Sequence, residues 1–290
     1  MMNEERPEND VRQHTLQLFA TCLIDLFRPQ AAIAAVDVME RHGATVEFPM
    51  DQTCCGQFSY NAGYHREAAD LARHWVTVFE VALNRDAEAH IIALSGSCAA
   101  MIIKEYPALL YRDALDRGDS TAEAERWQER AERVGERVME FTEWLTQERA
   151  ADLPTAPGIG VAYHNGCHMR RMLGINTVPE AVLQDHGFSV VPIEDADQCC
   201  GFGGTYSMTE WQVSTAIADQ KLQAVAKARE MGAQCLTSAD FGCLAHLDGR
   251  LSRRRDSFPV VYIAELIALR DRGRITIEDL QQMARQKEES

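Results

Sequence analysis

Apolar positions along the 290-residue chain recur in two alternating rhythms. Short apolar runs over Thr15 to Ala20, Thr45 to Phe48 and His90 to Leu94 predict β-strands, because they are brief, rich in β-branched and aromatic residues and bounded by polar turns. Between them, Gln30 to His42 and Tyr64 to Leu83 carry helical spacing, the first closed by Gly43 where a C′ glycine is expected. The same plan then returns. Ile159 to Tyr163, Ser189 to Ile193 and Cys235 to Ser238 read as strands, and one helix ends at His186 before Gly187. A second starts at Thr209, where Thr209-x-x-Gln212 resembles a capping box, and ends at Met231 before Gly232. Alternating strands and helices imply βαβ units, hence parallel strands joined by right-handed crossovers. The expected fold class is α/β, an internal duplication of two similar βαβ-type parallel-sheet halves, with sites at the strand C-terminal ends where such sheets bind ligands.

Between the halves lies a charged segment, about Tyr111 to Asp152, with a helix opened by Ser120-Thr-Ala-Glu123. Trp127, Ala131, Val134, Val138, Phe141 and Leu145 step by 4, 3, 4, 3, 4 and so predict one helix face packed on the domains. Pro154-Thr-Ala-Pro157-Gly158 breaks structure and makes the best boundary. The expected division is residues 1–110 as a first cysteine-rich half, 111–157 as a linking helical segment and 158–290 as a second cysteine-rich half. A last helix, Ile263 to Arg270, runs into a polar tail expected to be frayed or solvated.

Composition narrows the function classes. With 46% hydrophobic and 25% charged residues and a mean hydropathy of −0.27, the chain reads as globular. A net charge of −15 repels phosphate backbones and anionic lipid, so nucleic acid is not an expected partner. No membrane span is expected, since the most apolar runs, such as Val76 to Leu83, are short and broken by Glu80. The acidic, polar first ten residues lack the basic-then-apolar order of a signal peptide, which predicts a cytoplasmic protein. A reducing compartment gives disulfides little reason to persist, so nine cysteines need another explanation.

Eight of the nine fall on a repeat. Cys22 and Cys167, Cys54 and Cys199, Cys55 and Cys200, and Cys98 and Cys243 are each separated by 145 residues, and glycine follows both adjacent pairs, as Gly56 and Gly201. Buried thiols used only for packing would not keep four equal offsets. Cys235 has no counterpart, since His90 stands at that position, and it reads as a core thiol. Each repeated cysteine follows a predicted strand, so the four of each half converge at one sheet edge. Zinc is one candidate for four thiols, but structural zinc sites draw ligands from two Cys-x2-4-Cys turns, whereas the one close pair here is directly adjacent. Adjacent cysteines can reach two corners of a larger iron–sulfur cube, and the following glycine permits a tight turn that presents N–H groups to sulfur.

The pattern Cys-x31-Cys-Cys-Gly with a distal Cys, twice in one chain, resembles the cysteine-rich CCG domain found in heterodisulfide reductase and in the iron–sulfur subunits of glycolate oxidase. Thr21-Cys-Leu-Ile-Asp25, Gln52-Thr-Cys-Cys-Gly-Gln57, Ser95-Gly-Ser-Cys98, Tyr163-His-Asn-Gly-Cys-His168, Cys199-Cys-Gly-Phe-Gly-Gly-Thr205 and Asp240-Phe-Gly-Cys-Leu244 resemble the lactate-utilisation protein A family across nearly the whole chain. The resemblance implies an oxidoreductase subunit for electron transfer in a cytosolic three-protein complex that oxidises L-lactate to pyruvate. It also implies one or two iron–sulfur clusters, [4Fe–4S] in type, held by Cys22, Cys54, Cys55, Cys98, Cys167, Cys199, Cys200 and Cys243. The implied partners are a larger ferredoxin-type iron–sulfur subunit and a third small subunit; no Cys-x2-Cys-x2-Cys-x3-Cys run occurs in this chain.

The sequence departs from the heterodisulfide reductase pattern at the distal element. The first cysteine of that element is Ser95 in one half and Asp240 in the other, which leaves four thiols per site and makes these two residues candidate oxygen ligands. His164 and His168 flank Cys167 without first-half equivalents and are candidates for proton relay, against the alternative of histidines that only bond their own loop. Arg170 and Arg171 suit carboxylate recognition, but a solvated surface pair is the safer reading. Gly201-Phe-Gly-Gly204 reads as a turn shaped around the cysteines, and Arg253-Arg254-Arg255 as a partner-docking cluster. The competing functions are a scaffold or regulatory subunit with zinc or redox-switchable thiols, and a thiol-disulfide reductase subunit of heterodisulfide reductase type.

Overall fold

The computed structural model describes residues 15–86, 88–147, 158–273 and 275–286. The acidic N-terminus and Pro154 to Pro157 of the expected boundary lie outside them. In the first half, β1 (Thr15–Phe19) leads into α1 (Cys22–Phe27) and α2 (Pro29–Arg41), then β2 (Thr45–Glu47), α3 (Gln57–Asn61), α4 (His65–Leu83), β3 (His90–Ala93) and α5 (Gly96–Ala100). A π-helical turn (Met101–Glu105) carries the chain into α6 (Tyr106–Asp116), α7 (Thr121–Gly135), β4 (Val138–Glu140) and α8 (Phe141–Gln147). The second half runs β5 (Gly160–Tyr163), α9 (Cys167–Met172), α10 (Val178–Asp185), β6 (Ser189–Val191), α11 (Tyr206–Thr209), α12 (Trp211–Glu230), β7 (Cys235–Thr237), α13 (Phe241–Arg253), α14 (Ile263–Asp271) and α15 (Ile277–Gln286).

Two parallel sheets result, in the orders β2-β1-β3-β4 and β6-β5-β7. The α/β duplication expected from the sequence is the architecture. The duplication extends to register: Ile91 of β3 pairs with Val138 of β4, and Leu236, 145 residues after Ile91, bridges in parallel to Val260. Val260 therefore occupies the place of a fourth strand in the second sheet. The apolar stripe from Trp127 to Leu145 is not one helix. The helix ends at Gly135, Val138 enters the first sheet, and Phe141 starts a new helix. The 4-3 spacing misled because both faces of the break are apolar: the edge of β3 offers hydrogen bonds to a strand where the pattern alone predicts a continued helix. The C-terminal tail likewise forms α15 instead of fraying after Arg270.

The first sheet buries one face under α4, α6 and α7, where Trp75 and Phe79 pack edge-on against Phe19 and Tyr106 packs edge-on against Trp75. On its other face Leu16, Leu18, Ile92 and Leu94 join a core continuous with the second half through Val161, Tyr163, Val261, Tyr262 and Leu266. Polar ties reinforce this junction. The hydroxyl of Tyr262 donates to Leu94 O at 2.5 Å, and Arg28 pairs with Glu265 and donates to Val260 O. A shared core of this kind holds the C-terminal edges of the two sheets in fixed relation. No helix among the described residues is long and apolar enough to cross a membrane.

Candidate metal centre

All eight repeated cysteines line one cavity between the halves. The sequence predicts two sets, each at its own sheet edge; the fold turns the two edges toward each other. Four cysteines sit in the first turn of a helix that follows a strand: Cys22 opens α1, Cys167 opens α9, Cys98 lies in α5 and Cys243 in α13. The exposed N–H groups of a helix start favour negative charge nearby, which suits thiolates. Three of these helices, α1, α5 and α9, are absent from the sequence pattern because a five- or six-residue helix leaves no measurable period, whereas α13 runs for 13 residues.

The adjacent pairs, Cys54–Cys55 and Cys199–Cys200, lie in the loops after β2 and β6 and reach the cavity because of the glycine behind each. Gly56 and Gly201 both adopt left-handed φ, 79° and 91°. A Cβ on Gly201 would lie 2.4 Å from the Ser214 carbonyl oxygen in α12, so close packing excludes a side chain as firmly as the backbone angle does. The turns aim backbone N–H groups at sulfur. Gly56 donates to Cys54 Sγ at 3.4 Å, Gly201 to Cys199 Sγ at 3.3 Å and Phe202 to Cys200 Sγ at 3.4 Å.

Within the first set, Cys22 Sγ lies 3.4 Å from Cys54 Sγ and Cys55 Sγ lies 3.2 Å from Cys98 Sγ. Hydrogen bonds from Cys22 and Cys55, and the Gly56 N–H, hold Cys54 far below the ordinary thiol range, against the opposing effect of burial. Cys199 is lowered in the same way by Cys167, Cys200 and the Gly201 N–H. In each set one thiol, Cys54 or Cys199, is thus the most readily ionised. This donor set suits a soft, thiolate-binding metal centre. Cys235, by contrast, is fully buried away from the cavity, and burial pushes it up to about 12.

The residues flanking the thiols divide by role. Asp240 accepts hydrogen bonds from backbone amides on both oxygens, from Cys243 at 3.4 Å and from Ser97 at 2.9 Å, while Ser95 Oγ contacts Ser97 Oγ. His168 lines the cavity with Nδ1 3.6 Å from Cys167 Sγ. His164 does not line it. It is buried behind the second set, its ligand atom within 4.8 Å of those of Cys200 and Cys243, and neither ring nitrogen has a hydrogen-bond partner among the described residues. It makes no bond to its own loop through the ring. Burial, then the positive charge of Lys221, drives its pKa down to about 3, so the imidazole is neutral. Arg170 pairs with Asp197, two residues before Cys199, and Arg254 of the basic cluster pairs with Asp219.

Lys221 belongs to no sequence motif. Lys221 on α12 is completely buried, and its ammonium donates to the carbonyl oxygens of Asp195 (2.8 Å) and Ala196 (3.3 Å) in the loop leading to Cys199. The same 145-residue offset that found the cysteines finds it. Val76 occupies its place in the first half, as Phe19 occupies that of His164, and both are buried and apolar.

A family model described as the cysteine-rich domain CCG matches residues 16–103 and 161–248. Each match covers three parallel strands of one sheet, β1 to β3 or β5 to β7, with the four repeated cysteines of that half, and leaves β4 and Val260 outside. Among the relatives of this chain, lactate utilization protein A of Anoxybacillus flavithermus (strain DSM 21510 / WK1) is 38% identical over 252 residues, covering 86% of this chain and 97% of that protein. The proteins of the same name from Geobacillus sp. (strain WCH70) and Bacillus pumilus (strain SAFR-032) are each 37% identical over 254 residues, covering 87% of this chain and 98% of the relative. With 37–38% identity over 86–87% of its length and the cysteine-rich domain matched twice, the chain belongs to the lactate utilization protein A family, as the sequence resemblance implied.

Proposed function

We propose that this chain is an iron–sulfur electron-transfer subunit of a cytoplasmic complex that oxidises L-lactate to pyruvate. The observation that carries the reading is the convergence of two duplicated four-thiol sets on one cavity, each with one readily ionised thiol and N–H groups directed at sulfur. Cys22, Cys54, Cys55 and Cys98 would hold one cluster, and Cys167, Cys199, Cys200 and Cys243 a second, each of the [4Fe–4S] type. Such clusters supply one-electron transfer through thiolate-ligated iron. The chain's own residues supply the remaining conditions. Gly56 and Gly201 place their amides against sulfur, the helix starts favour negative charge, and His168 stands at the cavity wall where a proton can be exchanged. Asp240, occupied by two amides, serves as a brace between the halves.

A subunit of this kind needs partners: a larger ferredoxin-type iron–sulfur subunit, which supplies the cluster wire this chain lacks, and a third small subunit. Exposed apolar side chains next to the cysteine loops suit such contacts. Leu26 and Phe27 follow Cys22 in α1, and Met208 and Trp211 follow the Cys200 loop.

Anaerobic reconstitution with iron and sulfide tests the reading. The expected product is brown, with iron and acid-labile sulfide in equal amounts, and Cys55→Ser and Cys200→Ser should each remove about half of both. Cells carrying either variant should fail to grow on lactate. A correctly folded chain that takes up stoichiometric zinc and no iron would overturn the proposal in favour of a structural zinc or thiol-switch protein.

A further inference from the structure

We propose that the two thiol sets are electrostatically unequal by construction, and that buried Lys221 poises the second set to accept an electron before the first. The proposal rests on the reading that both sets hold iron–sulfur centres. Across the 145-residue repeat the cysteines and their glycines are the same in both halves, but the residues packed beneath them are not. The first set lies over Phe19 and Val76, both completely buried and apolar. At the same two places the second set has His164 and Lys221. Lys221 is as buried as Val76, and its ammonium is held in place by the Asp195 and Ala196 carbonyl oxygens a few residues ahead of Cys199. Burial lowers its pKa from the ordinary lysine range, against the raising effect of Cys200 and Cys199 nearby.

A cation in a protein interior is poorly screened, so its field on a nearby centre is far stronger than at the surface. Reduction adds one negative charge to a centre that already carries four thiolates. A fixed positive charge beside it stabilises the reduced state more than the oxidised one and raises the potential. His164 adds in the same direction. Buried within 4.8 Å of the Cys200 and Cys243 sulfurs and without a hydrogen-bond partner among the described residues, it can offer an N–H to a sulfur of the second set, and hydrogen bonds to sulfur also favour the reduced state. The corresponding places beneath the first set offer neither a charge nor a donor, and Phe19 packs edge-on against Trp75 and Phe79. A single electron delivered by an external one-electron donor therefore resides on the second centre; no bond forms or breaks.

EPR-monitored reductive titration of the reconstituted full-length chain with dithionite tests this. The wild type should show two one-electron waves. In Cys55→Ser the surviving wave should be the higher one, and in Cys200→Ser the lower. Lys221→Met, which keeps length and removes charge, should depress the higher wave by at least tenfold in its reduction equilibrium, about 59 mV for one electron, and leave the lower wave in place. His164→Phe should depress the same wave by less. Two coincident waves in the wild type, or survival of the lower wave in Cys55→Ser, overturns the inference even if Lys221→Met fails to fold. So does a Lys221→Met protein whose waves are unshifted. Absence of iron in every preparation is a different outcome and overturns the underlying iron–sulfur reading.

Discussion

The backbone N–H of Ser97 donates to Asp240 Oδ2 at 2.9 Å across the junction of the two halves. Asp240 Oδ1 accepts from Cys243 N at 3.4 Å, so one carboxylate caps the helix that carries Cys243 and binds the first turn of α5, which carries Cys98. Its repeat counterpart Ser95 reaches only Ser97 Oγ. Asp240→Ala removes an N-cap, worth about 1 kcal/mol, and a charged hydrogen bond worth about 1.5–3 kcal/mol. Urea denaturation of the metal-free chain should show a loss of roughly 2–4 kcal/mol. A loss below about 0.5 kcal/mol, the range of ordinary surface substitutions, would show that the carboxylate does not brace the halves.

Gly201 and Gly232 separate backbone strain from steric conflict. Both have left-handed φ, 91° and 108°, yet a Cβ at Gly232 would meet nothing within 4 Å, whereas at Gly201 it would meet the Ser214 carbonyl oxygen at 2.4 Å. Gly232→Ala should cost about 1–2 kcal/mol, the penalty of the backbone angle for an L-residue. Gly201→Ala should cost about 1–3 kcal/mol more from overpacking, because the obstructing atom belongs to the backbone of α12 and cannot rotate away. Paired thermal melts check the difference, and iron analysis should find the second set impaired only in Gly201→Ala. Equal costs at the two positions would place the whole effect in φ.

How far the sequence discloses these features depends on what each residue answers to. The cysteines are legible because metal ligation fixes both their identity and their spacing, and the strands before them because buried parallel strands leave short apolar runs. Val138 is not, since its place in the first sheet is decided by the free edge of β3, a tertiary fact that a 4-3 apolar pattern hides. The helices opened by Cys22 and Cys167 are too short to show a period. The facing of the two sets across one cavity depends on contacts such as Tyr262 to Leu94, 168 residues apart. Lys221 and His164 stand between these cases. Each looks ordinary alone, and only comparison with Val76 and Phe19 shows a charge and an imidazole where the repeat has hydrocarbon.

Glu140 gives the fold a measurable pH dependence. It is completely buried at the end of β4, where Thr142 donates to Oε2 through both its amide and its hydroxyl, while Oε1 has no partner among the described residues. Burial raises its pKa to about 8, against the opposing Thr142 hydrogen bonds. Between the ordinary carboxylate range and pH 8 the native chain thus retains a proton that the unfolded chain releases, so stability falls as pH rises through this window, by up to about 1.4 kcal/mol per pH unit. Glu140→Gln keeps an acceptor for Thr142 and removes the titration. Its stability should match that of the wild type near about pH 4.5 and exceed it by a few kcal/mol at about pH 8. Denaturation curves across this range check the prediction, and parallel pH profiles for the two proteins would refute it.

His164 is retained at a cost to the empty fold. A buried imidazole with neither nitrogen bonded among the described residues forfeits hydrogen bonds to water worth about 1–3 kcal/mol, and the repeat shows that phenylalanine serves at the corresponding place, Phe19. His164→Phe should therefore stabilise the metal-free chain, by about 1 kcal/mol after allowance for the larger ring. If the imidazole donates to sulfur in the loaded protein, the order reverses on reconstitution: iron should stabilise the wild type more than the variant. Denaturation midpoints of both proteins, with and without reconstituted iron, measure this double difference. A variant less stable than the wild type by the same amount in both states would make His164 a packing residue and nothing more.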